Sequence, residues 1–416
     1  MFHTGGSPVW PDRWQALQQE LTHLQANLPG PTLQALAASL NAFGESQFNF
    51  FRNGFTNGRL QPSAPYPIEY VLQATLDQVG YDIAVYQQAA YQRRGGNAGL
   101  QKADQLAYLA LEPAVKSGLL KQATVFTYFN KSPLSRNIPY APLALVAVPF
   151  TSTAVPRDLL ATPHEIGHYV YWNSPGLIAA LRDLLPVQPD WLSRWQEEIF
   201  ADVYGCLIAG PVIGLDFQDI LFDDSLEDFM SDDGEHPVEA IRPYAYTKVL
   251  AQLGFTNAAA ALNKRWQTML DARNNPEYFI PVSDFEQVSL EEARIKLEAF
   301  ALKILDYLTK TRGFNPKKFW SQDLPNGAEV ETLYKKFDKW VNNLPSAPAP
   351  SLRVEGDMVG VDLNGELKNK RQLGKTQTWI DELKGLISDT LPPEAWIPVI
   401  STDGWNVNGP EDKWPP

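Results

Sequence analysis

Two histidines in this chain are spaced so that one helix face can bring both of them to a single metal ion. His164 and His168 lie four residues apart in the sequence TPHEIGHY, which covers residues 162–169. Residues at this spacing project from the same side of an α-helix, and imidazole nitrogens are common zinc ligands. Glu165 projects from the neighbouring face, where its carboxylate can take a proton from an attacking water molecule. Because the chain holds only five histidines, the pattern specifically indicates metal-assisted peptide hydrolysis.

Two carboxylates further along the chain share a helix face in the same way. Glu198 and Asp202 form the pattern E-x-x-A-D, and residues four apart are neighbours on a helix. We expect Glu198 to be the third zinc ligand and Asp202 to accept the free ring N–H of a zinc-bound histidine. Glu197 is the alternative third ligand, but Ala201 rather than an acid follows it one turn later. We therefore expect replacement of Glu197 to be nearly silent.

A histidine and an arginine later in the chain are candidates for contact with a substrate. His236 precedes a proline, and Arg242 follows six residues after that histidine. Donors of this kind can stabilise the oxyanion of a tetrahedral intermediate. The alternative is structural, because a histidine before a proline often only begins a helix.

The order of these three elements resembles that of the gluzincin metallopeptidases, and in particular the branch of the CAAX prenyl protease and its bacterial heat-shock relatives. The matching segments are HExxH at 164–168, ExxAD at 198–202, and HP with an arginine at 236–242. The resemblance covers about residues 143–248 and not the termini. It implies an α+β zincin fold, one catalytic Zn²⁺ ion and endopeptidase activity. Much of that family is embedded in membranes, whereas this chain shows no such segment, and the metzincin pattern does not fit.

Composition and charge limit the partners of the protein. The 416 residues are 44% apolar and 20% charged, as in an ordinary globular protein, and the net charge is −13. This acidic balance argues against nucleic acid or an anionic membrane as a partner. No run approaches the roughly 18–20 apolar residues that cross a bilayer, and the start of the chain lacks the features of a secretory signal. We expect a soluble cytoplasmic protein without an integral membrane segment.

Periodicity predicts a predominantly helical fold with a small β-sheet. We expect a helical N-terminal region at 1–122, a zincin catalytic domain at 123–312, and a C-terminal extension at 313–416 that contains a helix, a Pro-rich linker and a small mixed tail. The expected helices cover 11–47 with a break at 29–31, 68–91, 100–119, 163–172, 177–185, 191–209, 238–253, 258–271, 290–311, 330–342 and 376–387. Strands are expected at 124–129 and 143–150, with a hairpin at 354–363.

Three further segments have alternative interpretations. The strand at 143–150 is either the sheet edge that pairs with an extended substrate or an interior strand without substrate contact. The segment from Asp216 to Glu235 is rich in acids, and we expect a solvated loop; Ca²⁺ binding or selection of basic substrates is the alternative, although its spacing fits no EF-hand. Cys206, the single cysteine, is expected to be a small buried apolar residue.

The sequence therefore predicts a zinc-dependent endopeptidase of gluzincin type that acts on a peptide or protein substrate. His164, His168 and Glu198 would hold the metal, and Glu165 would be the general base. Two other classes of function stay open. One is a zincin-fold binding or scaffold protein without turnover, and the other is a zinc hydrolase of a non-peptide substrate.

Overall fold

The computed structural model describes residues 9–60, 67–94, 96–184, 189–222, 225, 229–282, 286–316 and 318–374. The chain begins with four long helices, as predicted: α1 (Trp10–Asn27), α2 (Pro31–Thr56), α3 (Ile68–Gln92) and α4 (Ala98–Lys116). The turn between α1 and α2 is made by Gly30, whose φ of 78° is accessible to glycine without strain. A proline follows it in the first turn of α2, where its missing N–H costs nothing.

A mixed three-stranded sheet follows these helices. Its strands are β1 (Thr124–Asn130), β2 (Leu134–Asn137) and β3 (Leu143–Pro149), in the order β1-β3-β2. β3 pairs in parallel with β1 and antiparallel with β2, so both of its edges are occupied. The strand at 143–150 is therefore the interior strand of the sheet, and the substrate-edge interpretation of it is wrong. The short strand β2, which the sequence analysis did not predict, lies at the edge instead.

Helices make up most of the remaining chain, which confirms the predominantly α class with small β-sheets. Two short 3₁₀ turns, Phe150–Thr153 and Pro156–Leu159, connect β3 to the next helix. The helices are α5 (Thr162–Asn173), α6 (Leu177–Leu184), α7 (Asp190–Arg194), α8 (Gln196–Ala209), α9 (Pro211–Phe222), α10 (Arg242–Gln252), α11 (Thr256–Ala272), α12 (Leu290–Asp306), which continues as a π-helical turn over Tyr307–Thr311, and α13 (Thr332–Asn342).

Three expected elements differ in the structure. The helix expected over 191–209 is two helices, because the chain breaks at the buried Trp195 between α7 and α8. The helix expected from Val238 begins at Arg242. The acidic loop expected from Asp216 begins later, since Asp216 lies within α9. Part of that loop, at 223–224 and 226–228, lies outside the described residues.

Two small antiparallel sheets complete the described chain. β4 (Tyr278–Phe279) pairs with β5 (Val288–Ser289), and β6 (Ser351–Glu355), β7 (Met358–Leu363) and β8 (Glu366–Gln372) form a second sheet. The predicted hairpin at 354–363 is confirmed as β6–β7. The helix expected over 376–387 and the tail after it lie outside the described residues.

The three-stranded sheet separates two hydrophobic cores. One face of the sheet packs on α1–α3 and on the β6–β7 hairpin, through side chains such as Phe126 and Leu145. The other face packs on α4 and on the helices from α5 onward, through Val125 and Val146. Each core therefore contains residues from both sides of the domain boundaries predicted at 122 and 312. The boundaries themselves stay predictions. Among the described residues, no helix combines the length and apolar character needed to cross a membrane.

The Pro-rich segment at 345–350 lies against the protein. Gln105 of α4 donates a hydrogen bond to the carbonyl of Pro345, and Thr124 at the start of β1 donates to that of Pro350. Lys102 binds the carbonyl of Val341 just before it, at 2.6 Å. The segment expected to be a linker is thus tied to α4 at one end and to the start of β1 at the other.

Candidate metal centre

Helices α5 and α8 approach each other unusually closely, and this brings their polar side chains together. A Cβ atom on Gly167 would lie 2.7 Å from Cα of Ala201, a distance that real side chains do not reach. Glycine within the HExxH helix and alanine within ExxAD therefore permit the contact. These small residues set the separation of the two helices, and the ligands on both sides of the contact depend on it.

His164, His168 and Glu198 form a group of three potential metal ligands. The Nε2 atoms of the two histidines lie 3.1 Å apart. The carboxylate oxygens of Glu198 lie 3.3 Å from Nε2 of His164 and 3.4 Å from Nε2 of His168. One ligand atom from each residue lies within 4.8 Å of the others. Two imidazoles and a carboxylate are a donor set that suits zinc.

A carboxylate supports the outer nitrogen of His168. Oε1 of Glu197 lies 2.8 Å from Nδ1 of His168 and accepts a second hydrogen bond, also of 2.8 Å, from Nε1 of Trp172. A hydrogen bond at Nδ1 fixes the ring orientation and leaves Nε2 facing the other ligands. The sequence analysis treated Glu197 only as a rival ligand. The acid directly before the third ligand was the signal for this contact.

The outer nitrogen of His164 faces a second carboxylate. Its Nδ1 atom lies 3.0 Å from Oδ1 of Asp202, although the ring is off the line of a well-aligned hydrogen bond. Asp202 is buried and also accepts hydrogen bonds from Tyr246 and from Nε and Nη2 of Arg242. Asp202 therefore lies where the sequence analysis expected it, beside a ligand histidine. The buried arginine balances its charge.

The two ring Nε2 atoms and the Glu198 carboxylate converge on one point, and their lone pairs repel one another unless a positive charge lies between them. If both histidines are neutral and carry their protons on Nδ1, toward Asp202 and Glu197, only lone pairs face one another at 3.1 Å. That arrangement is repulsive unless a cation or a proton lies between the donors. The positions of these donor atoms therefore suit a bound metal ion.

The pKa values in the centre follow from the same crowding of charge. Burial alone would lower the pKa of His168, but the carboxylates of Glu198 and Glu197 outweigh it and raise the pKa to about 10. Burial would raise the pKa of Glu198, yet His168, His236 and Arg242 hold it well below its usual value. Without a metal, Glu198 is therefore charged at neutral pH and His168 holds a proton, which a metal ion would displace on binding.

His236 lies at the open side of the centre. Its Nε2 atom is 3.4 Å from Oε1 of Glu198, and its side chain is 45% exposed. Asp233 holds it from behind, since Oδ2 of Asp233 lies 2.6 Å from Nδ1 of the ring. Oδ1 of Asp233 accepts the backbone N–H groups of Glu235 and His236 at 2.8 Å. The exposed edge of His236 is thus directed to the same space as the ligands and remains accessible from solvent.

Arg242 points into the carboxylates and away from solvent. Its guanidinium donates two hydrogen bonds to Asp202, at 2.9 and 2.8 Å, and one to Glu198 at 2.8 Å. The side chain is 7% exposed. With three donors engaged by these two acids, this geometry favours a positioning role over direct donation to a substrate. Tyr246 also donates a hydrogen bond to Asp202.

Glu165 lies on the first turn of α5 beside the ligands, and it is 9% exposed. Its charge contributes to the raised pKa of His168, which places it within electrostatic reach of the ligand rings. Cys206 is fully buried, as predicted, and burial raises the pKa of its thiol well above the usual value. It is therefore inert as a nucleophile at neutral pH.

The structure brings together six of the seven residues singled out from the sequence in one hydrogen-bonded or ion-paired group around Glu198: His164, His168, Glu198, Asp202, His236 and Arg242. The edge strand β2 packs beside α5, and Asn173 at the C-terminal end of that helix donates a hydrogen bond to the Asn137 side chain at 3.1 Å. Comparisons of the chain with protein-family models, curated proteins and solved structures found no match. The interpretation of the centre therefore rests on its own geometry.

Proposed function

We propose that this protein is a zinc-dependent endopeptidase whose metal is held by His164, His168 and Glu198. The observation that carries the proposal is the convergence of three ligand atoms within 4.8 Å of one another, combined with a carboxylate beside the outer nitrogen of each histidine. When bound, zinc would lower the pKa of a coordinated water and polarise the scissile carbonyl.

The chain's own residues supply the remaining steps. Glu165, one residue after the first ligand, takes a proton from the attacking water and passes it to the leaving amine. His236 donates a hydrogen bond from its exposed Nε2 edge to the carbonyl oxygen as negative charge develops there. Asp233 holds the His236 ring, and its carboxylate favours the protonated, donating form.

The peptide character of the substrate is supported by the edge strand beside the centre. One edge of β2 pairs with β3, and its other edge has no strand partner among the described residues. A strand edge without a strand partner offers backbone donors and acceptors to an extended peptide, although Ser135 and Arg136 in the middle of β2 have buried side chains. The strand packs beside α5, the helix that carries both histidines and Glu165, and its printed side-chain contact is at Asn173, the C-terminal residue of that helix.

Hydrolysis of a fluorogenic peptide library tests the proposal. The library is assayed with the purified protein, with the protein after treatment with a chelator, and with the treated protein after zinc is added back. We expect hydrolysis that disappears with the chelator and returns with zinc. Glu165→Gln should retain zinc while kcat falls by about 10²–10⁴-fold, the usual contribution of a general base. Zinc binding without hydrolysis of any peptide would favour a binding protein or a non-peptide hydrolase. Hydrolysis that resists the chelator would exclude the proposed mechanism.

A further inference from the structure

The segment after α11 exposes three apolar side chains on alternate residues. Tyr278, Ile280 and Val282 are 50%, 54% and 61% exposed, whereas Phe279 is 3% exposed and Pro281 is buried. This alternation is typical of an extended chain with one face in the core and one face in solvent. We call Tyr278, Ile280 and Val282 the apolar strip.

The apolar strip is firmly anchored from behind. The ring of Phe279 packs against Trp191 and Trp195, with 5.7 Å between ring centroids in each case. The backbone N–H of Val282 donates to Oδ2 of the buried Asp232 at 2.9 Å. Because its inward face is fixed by these contacts, the strip presents its outer side chains at defined positions, and their exposure is a property of the fold.

One end of the strip borders the metal centre. Oδ1 of Asp232 accepts hydrogen bonds from Nε1 of Trp195 at 3.0 Å and from the backbone of Gly234 at 3.1 Å. Gly234 lies two residues before His236, and a Cβ atom built on it would be 3.9 Å from the Val282 side chain. Asp232 therefore ties the strip to the loop that presents His236. The Val282 end of the strip therefore lies against the loop that carries His236.

The other end of the strip leads to a pocket. Tyr278 lines a cavity of about 370 Å³ together with Tyr244, Leu270 and Arg294. The guanidinium of Arg294 lies 4.7 Å from the centre of the Tyr244 ring. The cavity is large enough for a bulky side chain, and its lining combines aromatic and aliphatic residues with polar ones.

We propose that the apolar strip binds the substrate polypeptide in an extended conformation and selects apolar side chains at alternate positions. This inference rests on the proposed function, because the occupant of a surface that runs up to His236 is then the chain being cut. Side chains on one face of an extended peptide repeat about every 6.6–6.8 Å, and the strip begins in the strand β4 at Tyr278. Contiguous exposed apolar side chains on a soluble protein mark binding surfaces.

Peptide binding to a double variant tests this proposal. Ile280→Ser with Val282→Ser removes two exposed side chains and keeps the backbone N–H that binds Asp232. The probes are fluorescently labelled ten-residue peptides with Leu at three alternate positions, and the same peptides with Ser there. Anisotropy is measured on the zinc-loaded protein in a Glu165→Gln background, so that no peptide is cut. Tyr91→Ser, which removes a 72% exposed side chain from α3, is the matched control.

We expect the Leu peptides to bind more tightly than the Ser peptides, and the double variant to lose about 10-fold in affinity for the Leu peptides alone. The control should change neither affinity. Equal affinity for both peptide sets, or equal losses in the double variant and the control, would overturn the proposal. A double variant that instead changes the sedimentation of the protein would identify a contact between copies. Since anisotropy requires no turnover, failure of hydrolysis would count against the proposed function and not against the strip.

Discussion

The carboxylate of Glu197 lies 2.8 Å from Nδ1 of His168, the ring nitrogen that faces away from the other ligands. Trp172 donates to the same carboxylate oxygen and so fixes its position. This contact determines which nitrogen of His168 is available to a metal. The acid that the sequence analysis expected to be nearly silent thus supports a ligand directly.

Replacement of Glu197 should weaken metal binding. We expect Glu197→Ala to lower zinc affinity by about 10–100-fold, because the loss of a carboxylate behind a ligand histidine commonly has an effect of that size. Competition with a fluorescent zinc chelator measures it. Glu112→Ala, which removes a carboxylate from a surface ion pair with Lys116 on α4, is the matched control. Equal zinc affinities in the two variants would mean that Glu197 does not contribute to metal binding, as its spacing in the sequence indicated.

The grouping of His164, His168 and Glu198 could be predicted from the sequence, because a helix converts spacing directly into geometry. His164 and His168 share a face wherever their helix lies. Glu198 could be distinguished from Glu197 because Asp202 follows Glu198 one turn later. The contact between Glu197 and His168 was not readable, since it depends on the separation of α5 and α8, which the close approach of Gly167 to Ala201 sets. Local spacing carries no information on the distance between two helices.

Arg242 should be important mainly for the stability of the centre. Arg242→Met would leave the buried carboxylates of Asp202 and Glu198 without their cation, and breaking a buried ion pair in this way costs about 3–5 kcal/mol. Urea denaturation measures the change. Arg265→Met, which breaks a more exposed pair with Asp219, should cost about 1 kcal/mol or less. Unchanged stability of Arg242→Met with a lower kcat would instead support the oxyanion role expected from the sequence.

His236 should be important for turnover and not for metal binding. We expect His236→Ala to retain its zinc and to lose about 10²–10³-fold in kcat, because the hydrogen bond it would donate forms mainly in the transition state. KM should change little. Steady-state kinetics beside a thermal melt checks this, with the exposed His23→Ala on α1 as the control. A lower melting temperature with normal kcat would mean that His236 serves only to begin the following turn.

The fold was predictable where hydrophobic periodicity was long and regular, as in α2, α3 and α12. It was less predictable at short elements that tertiary contacts define. β2 has only four residues, three of them the polar Ser135, Arg136 and Asn137, and it is held by pairing with β3 and by the buried ion pair of Arg136 with Asp82. The break at Trp195 has a similar cause, since its indole N–H binds Asp232, which is distant in sequence.

The zinc content of the purified protein tests the central claim most directly. After expression with zinc and removal of free metal, atomic emission should give about one zinc ion per chain for the wild type. His164→Ala and Glu198→Ala should be nearly empty, because two remaining ligands hold zinc poorly, while His23→Ala should retain its metal. A wild-type protein that binds no zinc, or a His164→Ala variant that retains a full complement, would contradict the assignment of His164, His168 and Glu198 as the metal ligands.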